Sequence, residues 1–241
     1  MTTLDWGMSY SQDAPVLAVI ERALPHTLRY VLPAMAFALI GGIGIGLYSA
    51  IHQQTILARV GAGFAYFGFG IPNFWLAGAL LFVFTIPLGR YGTATVAHWQ
   101  LLSNVVLPSL VLGTSLLAGQ ARYARAESIE YVNAEFVKLL RAKGASGWSV
   151  ARHLLRNAAV PLLSLFFADL LVILALNIYV IEVVFGIPGI GQLSYLAIQD
   201  RDMPLILGTT MVFVLFGIVG NLAQDIAYRV LDPRIDPTNG E

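Results

Sequence analysis

Five stretches of this chain are long and apolar enough to cross a bilayer, and they constrain its fold more than any motif does. They fall at about 28–51, 56–88, 101–120, 158–183 and 204–230. Hydrocarbon offers backbone N–H and C=O groups no partner, so a spanning segment must satisfy them internally. Continuous apolar runs of about 20 residues do so as α-helices. The composition agrees: 57% of residues are hydrophobic and only 12% charged, against roughly 25% charged in a soluble domain. Mean hydropathy is +0.73. The expected class is therefore an all-α polytopic membrane protein with about five transmembrane helices. Pro72, in Ile71-Pro72-Asn73, and Pro108 are expected to kink or divide the second and third spans, because proline lacks the amide hydrogen and crowds the preceding turn.

Net charge is zero, which leaves no electrostatic case for nucleic acid. The absence of cysteine excludes disulfides and thiolate-bound metal. The four histidines, His26, His52, His98 and His153, are scattered, so neither a metal site nor a cofactor is indicated.

Charge is concentrated in one place. Seven of the fourteen Lys/Arg residues lie between Arg122 and Arg156. Placing that island on the cytoplasmic side puts ten Lys/Arg inside and four (Arg22, Arg29, Arg90, Arg201) outside, as the positive-inside bias requires. The domain plan is then an external N-terminal segment 1–26, a membrane domain 27–230 and a cytoplasmic tail 231–241. The domain carries a cytoplasmic loop at about 122–160 and an external loop at about 184–203. An N-terminus outside, with no basic leader, implies a further helix upstream.

Within the island, Ile129, Val132, Phe136, Leu139 and Leu140 recur at helical spacing over 127–141. Gly144 is placed to end that helix, and Ser146 or Ser149 to cap a short second one. In the second helix Val150, Leu154 and Leu155 are expected to face inward, and Arg152, His153 and Arg156 outward. By pattern alone this is either a solvated positive-inside loop or a docking element for a cytoplasmic protein. A DNA-reading helix-turn-helix has no place in so hydrophobic a chain. Gly41-Gly42-Ile43-Gly44-Ile45-Gly46 lies inside a span with no preceding strand. It is therefore a helix-packing stripe with a GxxxG pair at Gly42 and Gly46, not a dinucleotide loop.

Four stretches, in order along the chain, carry a family resemblance. Glu130–Gly144, followed by Arg152–Pro161, resembles the cytoplasmic "EAA" loop of ABC importer permeases. More closely, it is similar to the oligopeptide/dipeptide/nickel branch of binding-protein-dependent permeases. Asp5-Trp-Gly-Met-Ser-Tyr10 resembles an external segment of that branch. Ile181–Leu193 resembles its "E-x-x-F-x-x-P-G-x-G" signature. Arg201-Asp-Met-Pro204 and Leu231-Asp-Pro-Arg-Ile235 resemble its "RDYP" and "DPRI" elements. The family's usual first helix is not present in the sequence, which implies either a truncated start or a naturally short member, and Lys138-Leu139-Leu140 stands where the family has its acidic-Ala-Ala triplet.

The resemblance implies a type I ABC importer permease fold and a permease subunit for peptides, nickel or related solutes. It implies as partners a second homologous permease subunit, two cytoplasmic ATP-binding subunits, an extracytoplasmic solute-binding protein and membrane lipid. No G-x-x-x-x-G-K-[ST] run occurs, so ATP hydrolysis is assigned to a separate chain and this one is not an enzyme. The ATPase-coupling residues it implies are Arg141, Ala142, Lys143, Gly144, Ala145, Trp148 and Arg152. Its external element includes Glu182, Pro188, Gly189 and Gly191, which read equally as an ordinary interhelical loop. Asp169 and Asn177, polar groups inside a span, are either pathway residues or interhelical hydrogen-bonding groups. The alternatives from other classes are an ion-coupled secondary transporter or channel using Asp169, and a truncated, inactive paralogue.

Overall fold

The computed structural model describes residues 6–91, 100–132 and 134–231. The Leu231–Ile235 element falls almost wholly outside them, as does Asp5. A two-residue hairpin, β1 (Met8–Ser9) with β2 (Ala14–Pro15), leads directly into α1 (Val16–Ile51). Then come α2 (Ile56–Gly70), α3 (Asn73–Tyr91), a π-helical turn (Leu102–Val106) continuing into α4 (Leu107–Val132), and α5 (Glu135–Ala142). The chain continues as α6 (Gly147–Phe185), α7 (Ile190–Gln199) and α8 (Met203–Leu231).

Among the described residues three helical stretches are each long and apolar enough to cross a membrane: Val16–Ile51, Leu102–Val132 and Met203–Ala227. The α2–α3 pair and α6 occupy the other two expected spans. On α8 the exposed residues Leu207, Met211, Val214, Leu215, Ile218, Leu222 and Ile226 form one apolar stripe. Such a stripe is unfavourable in water and suited to lipid or a neighbouring helix.

Several element boundaries differ from the sequence reading, each for a local reason. The first helix begins at Val16, twelve residues before the expected start. Val16, Ile20, Ala23, Thr27, Tyr30, Ala34 and Ala38 are all buried and spaced three or four apart, so a single buried face runs through Pro25 and Pro33. Pro72 does divide its span, and its carbonyl accepts from the N–H groups of Trp75 and Leu76 to start α3. Pro108 does not interrupt its helix. The preceding π turn, closed by Leu107 N–H on Leu102 O, absorbs the register change. The island helix expected over 127–141 is two pieces: α4 runs on to Val132, and α5 starts afresh at Glu135. The short helix expected before Pro161 is the beginning of the 39-residue α6, which passes through Pro161 unbroken.

The chain forms two compact units. The first comprises Met1–Met35, Ile71–Gly113 and Leu171–Gly217. Its core joins Val16, Ile20 and Ala23 of α1 to Ile190 and Ala197 of α7 and Leu205 and Val212 of α8, with Trp6 packed against them. The second comprises Ala36–Gly70, Thr114–Leu170 and Ile218–Glu241. There α1 lies directly on α4. A Cβ on Gly42 would stand 2.7 Å from Gln120 Cβ, and one on Gly46 would stand 2.7 Å from Ala121 O and overlap Ala124 Cβ. The glycine stripe is thus a packing surface. Close by, buried Gln120 donates from Nε2 to Leu162 O at 3.0 Å, which satisfies a polar side chain where no water reaches.

Candidate functional site

Two local structures contain most of the residues singled out by sequence, one in each unit. In the second unit, α5 and the start of α6 make a rigid elbow. Val137 of α5 and Val150 and Leu154 of α6 are buried with Val132, Leu47 and Ala50. Alpha-helix α5 ends in a Schellman turn: Gly144 takes φ +78°, and Ala145 N–H reaches back to Leu140 O at 3.0 Å. Ser146 then caps α6, its Oγ accepting from Ser149 N–H at 3.3 Å and its carbonyl from Val150 N–H at 3.1 Å. Of the two serines suggested by sequence, Ser146 is the cap.

The outward side of this elbow carries most of the expected residues. Ala142, Lys143, Gly144 and Arg152 are exposed, and Ala145 is half-buried against the elbow's core. Trp148 is 80% exposed and Leu139 58%. Leu155, expected inward, is 38% exposed, while Val137, which the spacing argument passed over, is fully buried. α4 ends at Val132 and α5 starts afresh at Glu135, so a helical period carried from one into the other assigns α5's faces wrongly. The side chain of Arg141 lies outside those described. Glu135 and Lys138 form a fully solvated pair at 3.6 Å, which contributes little to stability.

In the first unit, Glu182 ties three helices together. Its carboxylate is completely buried. Thr27 Oγ1 donates to Glu182 Oε1 at 2.6 Å, Tyr30 OH donates to the same oxygen at 3.0 Å, and Gln192 N–H donates to Oε2 at 3.0 Å. Thr27 Oγ1 in turn accepts from Ile190 N–H at 2.9 Å. The last turn of α6 closes as α5 does: Gly186 takes φ +66° and Ile187 N–H bonds to Glu182 O at 2.9 Å. The chain then turns so sharply that α7 lies at 88° to the end of α6. Pro188, Gly189 and Gly191 lie in and just after this turn. Any side chain at Gly189 would overlap the Glu182 carboxylate, and a Cβ on Gly191 would come within 2.6 Å of Ile178 Cγ2. Pro188 is exposed at the turn's tip.

A second knot in this unit joins two of the quoted motifs. Asp202 is the N-cap of α8, accepting from Leu205 N–H at 3.2 Å. The same carboxylate accepts from Ser9 Oγ at 2.6 Å, Ser11 Oγ at 2.9 Å and Ser11 N–H at 3.0 Å, which pins the N-terminal hairpin. Burial would raise this carboxyl's pKa, but the donors from Ser11, Ser9 and Leu205 outweigh it and hold it below the usual carboxylate range. Elsewhere in the unit, Asn73 Nδ2 donates to Asn177 Oδ1, so Asn177 is an interhelical hydrogen-bonding group. The side chain of Asp169 lies outside those described.

Thr27, Tyr30, Ser9 and Ser11 were not identified from sequence. The buried register of α1 is the signal that leads to Thr27 and Tyr30. Nothing local points to the serines, whose partner is more than 190 positions away.

This arrangement of bent helices, an exposed helical elbow and a re-entrant turn defines a membrane permease fold of the ABC-transporter kind. It matches a chain of the MetNI methionine ABC transporter in an inward-facing conformation with TM-score 0.68 at 17% identity, over 90% of this chain and 97% of that one. A chain of an amino acid ABC transporter with histidines matches with TM-score 0.58 at 16% identity, over 88% and 94%. Sequence then identifies the family: the chain belongs to the binding-protein-dependent transport system inner membrane components, whose match covers residues 42–237. The dipeptide transport system permease protein DppB of Bacillus subtilis (strain 168) is 32% identical over 235 residues, 97% of this chain and 75% of that protein. The glutathione transport system permease protein GsiC of Escherichia coli (strain K12) is 32% identical over 232 residues, 96% of this chain and 74% of that protein. The chain is thus an inner-membrane permease component of an ABC importer. The ion-coupled alternative is not favoured.

Proposed function

We propose that this permease imports peptides, in the size class of the dipeptide and glutathione systems to which it is similar, and provides half of the pathway beside a second homologous subunit. Two ATP-binding subunits hydrolyse ATP on the cytoplasmic side and dock on the α5–α6 elbow. A solute-binding protein delivers cargo from the external side of the membrane.

The observation that carries this reading is the elbow itself. An element that transmits motion must be rigid within and adhesive outside. The core of Val137, Val150 and Leu154 supplies the first property. Trp148 and Leu139, large apolar groups exposed beside Lys143 and Arg152, supply the second. Aromatic anchors ringed by charge are how protein interfaces concentrate their binding energy.

The test is co-purification of the permease pair with its ATPase, followed by uptake of labelled dipeptide and of glutathione in vesicles. Trp148→Ala, and charge reversal at Arg141 and Lys143, should leave the fold's melting temperature unchanged and sharply reduce ATPase retention and uptake. Full retention of the ATPase in both variants would contradict the docking role. Uptake that persists without ATP would contradict the importer.

A further inference from the structure

In the first unit a pocket of about 310 Å³ opens between the hairpin, the first turns of α1 and the α6–α7 turn. Its polar side chains are Gln12, Arg22, His26 and Gln192. Arg22 and His26 stand one turn apart on α1 and therefore share a face. Among the described residues none of these four side chains makes a hydrogen bond or ion pair. The acids nearest in sequence, Asp13 and Glu21, are exposed and unpaired with them. Glu182 lies behind Gly189, at the pocket's edge, and its oxygens are already taken by Thr27, Tyr30 and Gln192 N–H. The start of α7 is also satisfied, with Ile190 N–H on Thr27 and Leu193 N–H on Gly189 O. What remains open is a set of side-chain donors: a guanidinium, an imidazole and two carboxamides.

The geometry points to a carboxylate-binding pocket, in which Arg22 pairs with one carboxylate group and Gln12, His26 and Gln192 donate to its remaining lone pairs. A guanidinium meets a carboxylate through two parallel N–H···O bonds, which an ammonium does not reproduce. The volume lies at the lower end of the range for small-ligand sites, roughly 300–1,000 Å³, so the pocket holds one acidic group and not an extended chain. Two sources carry that chemistry: a small free acid, or an acidic side chain of the solute-binding protein. The second source rests on the importer reading above; the first does not.

Two measurements separate them. In the first, N-acetylglutamate is titrated onto the chain alone in nanodiscs. In the second, association of the binding protein with the assembled importer is measured with and without N-acetylglutamate. Arg22→Gln should weaken carboxylate binding at least tenfold and Arg22→Lys should restore it only in part. Arg29→Gln, an exposed cation on the same helix outside the pocket, should change nothing. Saturable N-acetylglutamate binding lost in Arg22→Gln, with association unaffected, identifies a free acid. Association weakened by Arg22→Gln and by Gln192→Ala identifies a protein side chain. If both variants match Arg29→Gln in both measurements, or if all cation changes act alike, the pocket proposal is wrong. Failure of the wild-type subunits to assemble counts against the importer reading, and leaves the titration on the chain alone to decide the pocket. Because Gln12 and Arg22 are exposed, Gln12→Ala serves as a second variant whose folding is secure.

Discussion

The Asp202 carboxylate accepts a 2.6 Å hydrogen bond from Ser9 Oγ across 193 positions of sequence, while the same side chain caps α8. One group therefore fixes both the N-terminal hairpin and the start of the last helix. Asp202→Asn keeps the shape but gives up an acceptor oxygen, and leaves a buried donor unmatched at a cost of about 1–3 kcal/mol. The melting temperature in detergent should fall accordingly.

That difference should depend on pH. The Asp202 pKa is lowered in the fold, so its stabilisation is fully present above the unfolded value, about 3.9, and is lost as pH falls through the lower folded value. Wild type and Asp202→Asn should differ by a constant amount from pH 8 down to about 4, then converge at more acid pH. A difference that stays level throughout the acid range would show that the carboxylate's charge is immaterial.

Gly189 and Glu182 compete for one space. Gly189→Ala would drive its methyl into Glu182 Oε1 and displace the carboxylate from Thr27 and Tyr30. Overpacking of this kind costs about 1–3 kcal/mol. Glu182→Ala alone should destabilise by a comparable amount, because it strands the two hydroxyls. The double variant should cost clearly less than the sum, since the two changes share one site. Thermal melts of the four proteins make the comparison.

Two glycines of one stripe should respond oppositely. Gly46→Ala places a methyl against Ala121 O and Ala124 Cβ and should loosen the contact of α1 with α4. Gly44 has nothing within 4 Å of its missing Cβ. There the gain in helix propensity, up to about 1 kcal/mol, should leave Gly44→Ala neutral or slightly stabilised. Equal losses at both positions would contradict the packing assignment.

At the elbow, Gly144 has φ +78°, a conformation that any Cβ strains. Gly144→Ala should cost about 1 kcal/mol and Gly144→Asn less, because asparagine tolerates the left-handed region. Gly144→Pro cannot adopt the angle and should abolish substrate-stimulated ATPase activity in the assembled importer. ATPase activity coupled as in wild type would mean that the turn transmits nothing.

The class of fold was legible because hydrophobic length is a one-dimensional property. The break at Pro72 and the turn at Gly144 were legible because proline and glycine act through their own backbone angles. The start of α1 was readable in principle from the spacing of Val16, Ile20, Ala23 and Thr27, but the charges at Glu21 and Arg22 set the apolar boundary too late. The faces of α5 were misread because one helical period was carried over 127–141, whereas α4 ends at Val132 and α5 starts with its own phase at Glu135.

Local sequence by itself determined that this chain lies in a membrane as helices, that one span divides at Pro72, and that one charged loop folds as helix, glycine turn and helix. Tertiary structure alone decided that Glu182 serves Thr27, Tyr30 and Gln192, that Asp202 holds Ser9 and Ser11, and that Arg22 and His26 share a pocket with Gln192. Apart from Glu182 with Gln192, ten positions on, those contacts join residues about 150–190 positions apart. A buried donor and acceptor must meet wherever packing brings them together, and no local period records that meeting.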